Sequence, residues 1–211
     1  ISYDPTFAYE VAVIIQDGLR RMCAEQQDVY YYLTVMNENY RHPAMPDGAA
    51  PAIIKGMYLF KAGAASKGPR VQLLGSGTIF QEVIAAAELL RDDWGVESDL
   101  WSCPSFTELA RDGQAVARYN MLNPTAPQRT SYVGACLRER AGPVVAATDY
   151  MHAFADEIRA YVPRRYFVLG TDGFGRSDTR EKLRHFFEVD RWYVTVAALK
   201  ALADEGVTDA A

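Results

Sequence analysis

The segment Val168–Asp190, VLGTDGFGRSDTREKLRHFFEVD, carries an apolar run into a glycine-rich turn and then into a charged helical pattern. Tyr166 to Leu169 is β-prone, Gly170, Gly173 and Gly175 interrupt it, and a helix is expected over 178–187. Ser177 or Asp178 would cap that helix, with Glu181 three residues after Asp178 placed to bond back to the cap amide. Strand, glycine turn and capped helix is the unit from which α/β folds are built, and such turns lie where backbones approach ligands or partner subunits. The spacing is not GxGxxG, and no Lys-Ser/Thr follows as a phosphate loop requires. On residues alone the turn is either a tight connection or a binding loop. Asp172, Gly173, Gly175, Arg176 and Asp178 are its candidates for an inter-subunit contact. The charged residues beyond it read otherwise as a solvated helix face with pairs such as Arg184–Glu188.

The same grammar repeats upstream. Met57–Lys61 and Val71–Leu74 are strands, and Gly75-Ser76-Gly77 is a tight turn. Thr78 with Gln81 forms a capping box before a helix striped by Ile79, Val83, Ala87 and Leu90. Asp99–Cys103 is the next strand, followed by a Ser105/Glu108 capping box and its helix. Val144–Ala147 is a further strand, and Met151, Phe154, Ile158 and Tyr161 stripe the helix after it. Downstream, Asp190 caps a helix carrying Tyr193, Val196, Ala197 and Leu202. Strands alternating with helices and long crossovers predict an α/β fold: a mostly parallel sheet with helices on both faces.

The first 36 residues differ. Asp4-Pro5 reads as an N-cap with proline at the first helical position, and the helix runs to about Gln26. Val29–Met36 reads as a strand covered on both faces. No strand is expected before this helix, so the unit reads as the tail of an upstream domain. Asn37–Gly48 is an irregular, proline-bearing loop, with a short helix near Ala50–Ile54. The expected division is 1–40, a linker over 41–55, and a second domain over 56–211. The start at Ile1 leads us to expect a piece of a longer polypeptide.

Composition narrows the classes. With 49% hydrophobic and 23% charged residues, the 211-residue chain is a folded globular one. A net charge of −5 gives no electrostatic reason for a nucleic-acid or anionic-membrane partner. No apolar run approaches the roughly 20 residues of a membrane span. Cys23, Cys103 and Cys136 lie far apart without CxxC spacing, as expected of reduced, buried thiols in a cytoplasmic protein. His42, His152 and His185 share no metal-ligand spacing. No GxSxG or HExxH motif is present. His152 and His185 read as solvated or hydrogen-bonded helix residues, whereas His42 lies in an irregular loop four residues after Glu38.

The blocks YYYLTVMNENYRHPAMPDG, LLGSGTIFQEVIAAAELL, SFTELARDG, ATDYMHAFADEIRAYVP and VLGTDGFGRSDTREKLRHFFEVD resemble, in collinear order, the C-terminal region of the homodimeric-type pyruvate dehydrogenase E1 family. The family belongs to the transketolase superfamily. The resemblance implies three α/β domains per subunit, with residues 1–40 ending the middle, pyrimidine-binding domain and 56–211 forming the C-terminal one. It implies thiamine diphosphate and Mg2+ in the parent enzyme, held by a GDG…N motif and an activating glutamate that lie upstream. Asp172-Gly173 follows a threonine, lacks the partner asparagine and is no counterpart of that motif. The isolated chain is therefore expected to bind neither cofactor nor metal and to be inactive. The implied parent is a bacterial, cytoplasmic oxidoreductase that decarboxylates pyruvate and acetylates the lipoyl group of its E2 partner, dihydrolipoyl acetyltransferase. Its other implied partner is a second E1 subunit. In the NENYxHP loop, Glu38 and His42, with Asn37 and Tyr40 beside them, match residues that face the family's active-site channel. A free-standing assembly module of the same fold, or a fragment of another superfamily enzyme, is the alternative.

Overall fold

The computed structural model describes residues 1–209. Its N-terminal unit consists of β1 (Ser2–Tyr3), α1 (Ala8–Leu19) and β2 (Tyr32–Leu33), with β1 and β2 paired in parallel. Helix α2 (Ala50–Ile54) leads into β3 (Tyr58–Lys61), β4 (Arg70–Gly75), α3 (Ile79–Trp94), β5 (Glu97–Ser102) and α4 (Phe106–Leu122). Then come α5 (Tyr132–Leu137), β6 (Val144–Ala147), α6 (His152–Asp156), β7 (Tyr166–Leu169), α7 (Arg180–Phe186) and α8 (Arg191–Asp204).

Strands β3 to β7 form one sheet in the order β3-β5-β4-β6-β7. Only β3 runs antiparallel to its neighbour, as the mostly parallel expectation requires. Val144–Ala147 is buried along its whole length, which is why it reads as an unbroken apolar run. One face packs on α3 and α8 through Val83, Leu90, Val194 and Leu202. The other packs on α4, α5 and α6 through Leu109, Leu137 and Ala155. Neighbouring β4 and β6 thus leave the sheet toward opposite faces. Their carboxyl ends flank the switch point at which open α/β sheets form a crevice.

Several local expectations are corrected. A strand does precede the first helix, and Asp4 does not cap it. Phe7 is the N-cap, and the Glu10 carboxylate accepts from the Phe7 and Thr6 amides. Asp4 instead accepts from Thr34 and Tyr150 hydroxyls. After Leu19 the helix widens into a π turn over Arg20–Ala24. Val29–Met36 is not a covered strand: only two residues pair, and Tyr30, Tyr32 and Val35 are exposed. Thr78 makes no side-chain cap, and the Gln81 amide nitrogen is buried without a partner. Thr179, not Ser177 or Asp178, caps helix α7: its hydroxyl accepts from the Lys182 amide, while Asp178 accepts from the Thr179 amide. Helix α5 was not anticipated, and the 151–161 stripe divides into α6 and a 3-10 turn at Arg159–Tyr161. Cys23 is exposed rather than buried. Ser105 and Asp190 cap α4 and α8 as expected.

Glu10 seams the N-terminal unit to the sheet. Its fully buried carboxylate accepts from Tyr58 Oη and Ser102 Oγ, both at 2.6 Å, besides the two amides of its own helix turn. Burial pushes the Glu10 carboxyl up, and these four donors offset part of that push.

Candidate functional site

A cavity of about 300 Å3 opens at the carboxyl ends of β4, β6 and β7. Each strand delivers a residue to its wall from the turn that follows it: Thr78, Asp149 and Thr171. Met36, Leu183, Phe187 and Val189 form its apolar lining. Glu38 enters from the segment after β2, and Gly173, Gly175 and Arg176 from the glycine turn after β7. Glu38 from the first candidate group and Gly173, Gly175 and Arg176 from the second, read from distant parts of the sequence, therefore meet in one cavity.

The contact that joins them runs through α7. Arg184 forks onto Glu38, Nη1 lying 3.1 Å from Oε1 and Nη2 bonding Oε2. Arg184 Nη1 also lies 3.3 Å from Glu82 Oε1. Glu82 in turn accepts from the Arg191 amide at 3.1 Å and from its Nε at 2.9 Å. Burial alone would raise the Glu82 carboxyl, but Arg191 and Arg184 overcome it and hold the group below the usual carboxylate range. Arg184 therefore pairs with Glu38 and Glu82, not with Glu188. One turn earlier, Arg180 Nη2 bonds the Asn37 side chain and lies 3.3 Å from its carbonyl. The Asn37–Glu38 backbone is thus held by two arginines of one helix.

Tyr40 and His42 turn elsewhere. The Tyr40 hydroxyl donates to the Thr6 carbonyl, and its ring stacks on His42 with centroids 4.9 Å apart. Burial, with the Glu10 and Glu38 carboxylates, pushes Tyr40 up to about 12. The His42 Nδ1 accepts from the Ala8 amide at 3.1 Å, so it caps the start of α1, and Nε2 has no hydrogen-bond partner among the described residues. Asp172 also points away from the cavity, accepting from the His152 amide and facing its Nδ1, both at 2.9 Å. With Thr171 N bonding the Tyr150 carbonyl at 2.8 Å, these contacts lace the glycine turn to the turn after β6. Asp178 stays at the α7 terminus. His185 bonds Asp190 at 2.9 Å, the hydrogen-bonded setting expected of it.

Sequence reading missed Arg184, Glu82, Arg191, Asp149 and Thr171 as site residues. Their periodicity is that of ordinary helix faces and strand ends, and only the topology brings them together.

The domain model described as "Transketolase-like TK C-terminal domain" matches residues 56–190. The chain belongs to this family. Residues 1–43 match the model described as "Pyruvate dehydrogenase E1 component middle domain". Curated relatives named pyruvate dehydrogenase E1 component agree over nearly the whole chain. The protein of Cupriavidus necator is 72% identical over 207 residues, spanning 98% of this chain and 23% of the relative. Those of Pseudomonas aeruginosa and Escherichia coli K12 are 61% and 57% identical, over 97% and 99% of this chain and again 23% of each relative. The chain thus spans about a quarter of these relatives' length and matches their C-terminal part. Among solved structures, Pichia stipitis transketolase in complex with sedoheptulose-7-phosphate superposes with a TM-score of 0.63 at 17% identity, over 99% of this chain and 26% of the other. A split-gene transketolase, an inactive beta4 tetramer, superposes at 0.57 and 16% identity, over 96% of this chain and 57% of the other. These likenesses carry the fold.

Proposed function

We propose that the chain is the C-terminal part of a pyruvate dehydrogenase E1 enzyme, acting within a homodimer. The parent decarboxylates pyruvate and passes the two-carbon unit to the lipoyl group of an E2 dihydrolipoyl acetyltransferase in the cytoplasm. Residues 1–40 close the pyrimidine-binding domain, 41–55 link it onward, and 56–211 form the C-terminal domain. The supporting observation is the seating of Glu38 by Arg184 in the cavity wall, near the end of the stretch that the middle-domain model matches.

Thiamine diphosphate with Mg2+ supplies the electron sink for decarboxylation when bound. The residues of this chain do not fit that group. Among the described residues no three His, Cys, Asp or Glu side chains gather as metal ligands. The cavity offers one unpaired carboxylate, that of Asp149, beside the arginines. On the family resemblance, the groups that hold the cofactor lie in upstream domains of the parent, and on that reading this chain alone is inactive. What its residues do is hold the 37–42 segment. Two arginines fix its start, and the Tyr40 and His42 contacts fix its end on α1.

In the full-length protein, Glu38→Ala and His42→Ala should each lower pyruvate turnover more than cofactor affinity. Unaltered steady-state kinetics would leave the segment with hydrogen-bonding duties only. Immunoblotting of a source extract with an antibody to this chain should reveal a polypeptide several times larger. A band at the chain's own size would instead favour a free-standing assembly module.

A further inference from the structure

Asp4 bonds to three separate turns at the carboxyl end of the sheet, those after β4, β5 and β6. Its carbonyl accepts from the Gly77 amide at 3.0 Å, and its amide donates to the Pro104 carbonyl at 2.6 Å. Its carboxylate Oδ1 accepts from the Tyr150 hydroxyl at 2.9 Å and from the Thr34 hydroxyl as well. We infer that Asp4 is a positioning residue for pyruvate turnover. It sets the wall segments that carry Glu38 and Asp149, acting through Thr34 and Tyr150 and not by touching substrate.

Three observations converge. The first is adjacency. Gly77 precedes Thr78, Tyr150 follows Asp149, and Thr34 stands two residues before Met36 and four before Glu38. Thr78, Asp149, Met36 and Glu38 all line the cavity, whereas Asp4 does not. The second is stiffness. Thr171, itself a wall residue, bonds both carbonyls of the turn after β6: its hydroxyl donates to Asp149 at 2.7 Å and its amide to Tyr150 at 2.8 Å. The Tyr150 ring packs on Phe154 with centroids 4.5 Å apart. A shift of the Tyr150 hydroxyl therefore carries Asp149 and Thr171 with it. The turn after β4 is gripped in the same way. Thr6 donates through its hydroxyl to the Gly77 carbonyl at 2.8 Å, while the Gly77 amide is held by Asp4. The third is burial. Asp4 is only 5% exposed, and burial pushes its carboxyl up, with the Thr34 and Tyr150 hydroxyls offsetting part of that push. Hydrogen bonds to a desolvated carboxylate are stronger than neutral ones, so this acceptor fixes both hydroxyls. Asp4 lies in the stretch matched by the middle-domain model, and Gly77, Pro104 and Tyr150 lie in the C-terminal match. It therefore registers one domain's end against the other's turns.

The inference rests on the enzymic reading of the chain, and steady-state kinetics of the full-length, cofactor-loaded protein with pyruvate test it. A wild type without pyruvate decarboxylation would sink that reading, and the inference with it. In an active enzyme, Tyr150→Phe and Asp4→Ala should each lower kcat/KM roughly tenfold with KM raised, as expected when binding groups are displaced. Cofactor affinity should stay as in the wild type. A partly unfolded population behaves differently, lowering kcat at constant KM. Asp4→Asn keeps an oxygen that accepts from the same two hydroxyls, so it should recover most of the loss. Tyr150→Phe removes a single hydroxyl and decides the matter if Asp4→Ala does not fold. Wild-type KM in the folded variants, or Asp4→Asn as damaging as Asp4→Ala, would overturn the positioning role and leave the enzymic reading standing.

Discussion

Arg184 and Glu38 meet in a two-point contact across 146 residues of chain, and Arg184 alone carries that contact on to Glu82. Its side chain is only 13% exposed, so the fork sits where solvent screens it little. Planar guanidinium geometry matches a carboxylate at two points, which an ammonium cannot do. The fork fixes the position of the segment after β2 relative to α7 and α3. The fold thereby ties a residue of the N-terminal unit to the cavity at the end of the sheet.

Arg184→Leu should destabilise the chain by about 2 kcal/mol, because it leaves Glu38 and Glu82 with one partner fewer in a desolvated setting. Arg184→Lys should recover only part of this. A double-mutant cycle with Glu38→Gln, read from denaturant midpoints, should give a coupling of about 1 kcal/mol or more. Strict additivity would mean that the fork contributes nothing to folding.

Glu10 should make stability pH-dependent. Burial holds its folded carboxyl above the ordinary range, so the folded state binds the proton more tightly than the unfolded chain. The contribution is full below the unfolded pKa and is lost as pH rises through the folded one. Wild type should therefore lose stability relative to Glu10→Gln as pH climbs from about 4 toward neutrality. Glu10→Leu should cost about 3 kcal/mol near pH 4, where the wild-type contribution is full, and less as pH rises, since it strands the Thr6 and Phe7 amides and the Ser102 hydroxyl. Parallel pH profiles for wild type and Glu10→Gln would show that the buried group does not titrate.

The sheet was legible where its strands are short apolar runs bounded by punctuation, and β6 and β7 have the bounds their residues announce. Ser105 and Asp190 were legible as caps for the same local reason. The capping roles of Asp4 and Thr78 were misread because distant hydrogen bonds and topology decide them. Asp4 is claimed by Thr34 and Tyr150, partners 30 and 146 residues away. Tyr30 to Met36 has the residues of a covered strand, yet most of it faces outward here, because β-propensity reports compatibility with a sheet and not the presence of neighbours. Of the cavity, the sequence announced Glu38 and the glycine turn. It could not announce that α7 would bring them together, because Arg184 looks like any charged helix residue.

Glycines along the chain should differ sharply in what they tolerate. Gly142 has φ +83°, and a Cβ there would stand 1.8 Å from the Arg70 carbonyl oxygen on the neighbouring strand. No rotamer relieves a backbone clash, so Gly142→Ala should cost upwards of about 3 kcal/mol by displacing the start of β6. Gly173 has φ +92° but nothing within 4 Å, so alanine there meets only the conformational penalty, about 1 kcal/mol. Gly175 has neither a positive φ nor a neighbour, and Gly175→Ala should be neutral or slightly stabilising by restricting the unfolded chain. Denaturant midpoints for the three variants should fall in that order. If Gly173→Ala and Gly175→Ala instead leave folding of the chain unchanged but weaken dimerisation of the full-length protein in sedimentation, the turn's glycines serve the partner subunit. Unchanged sedimentation would remove the turn from the dimer contact.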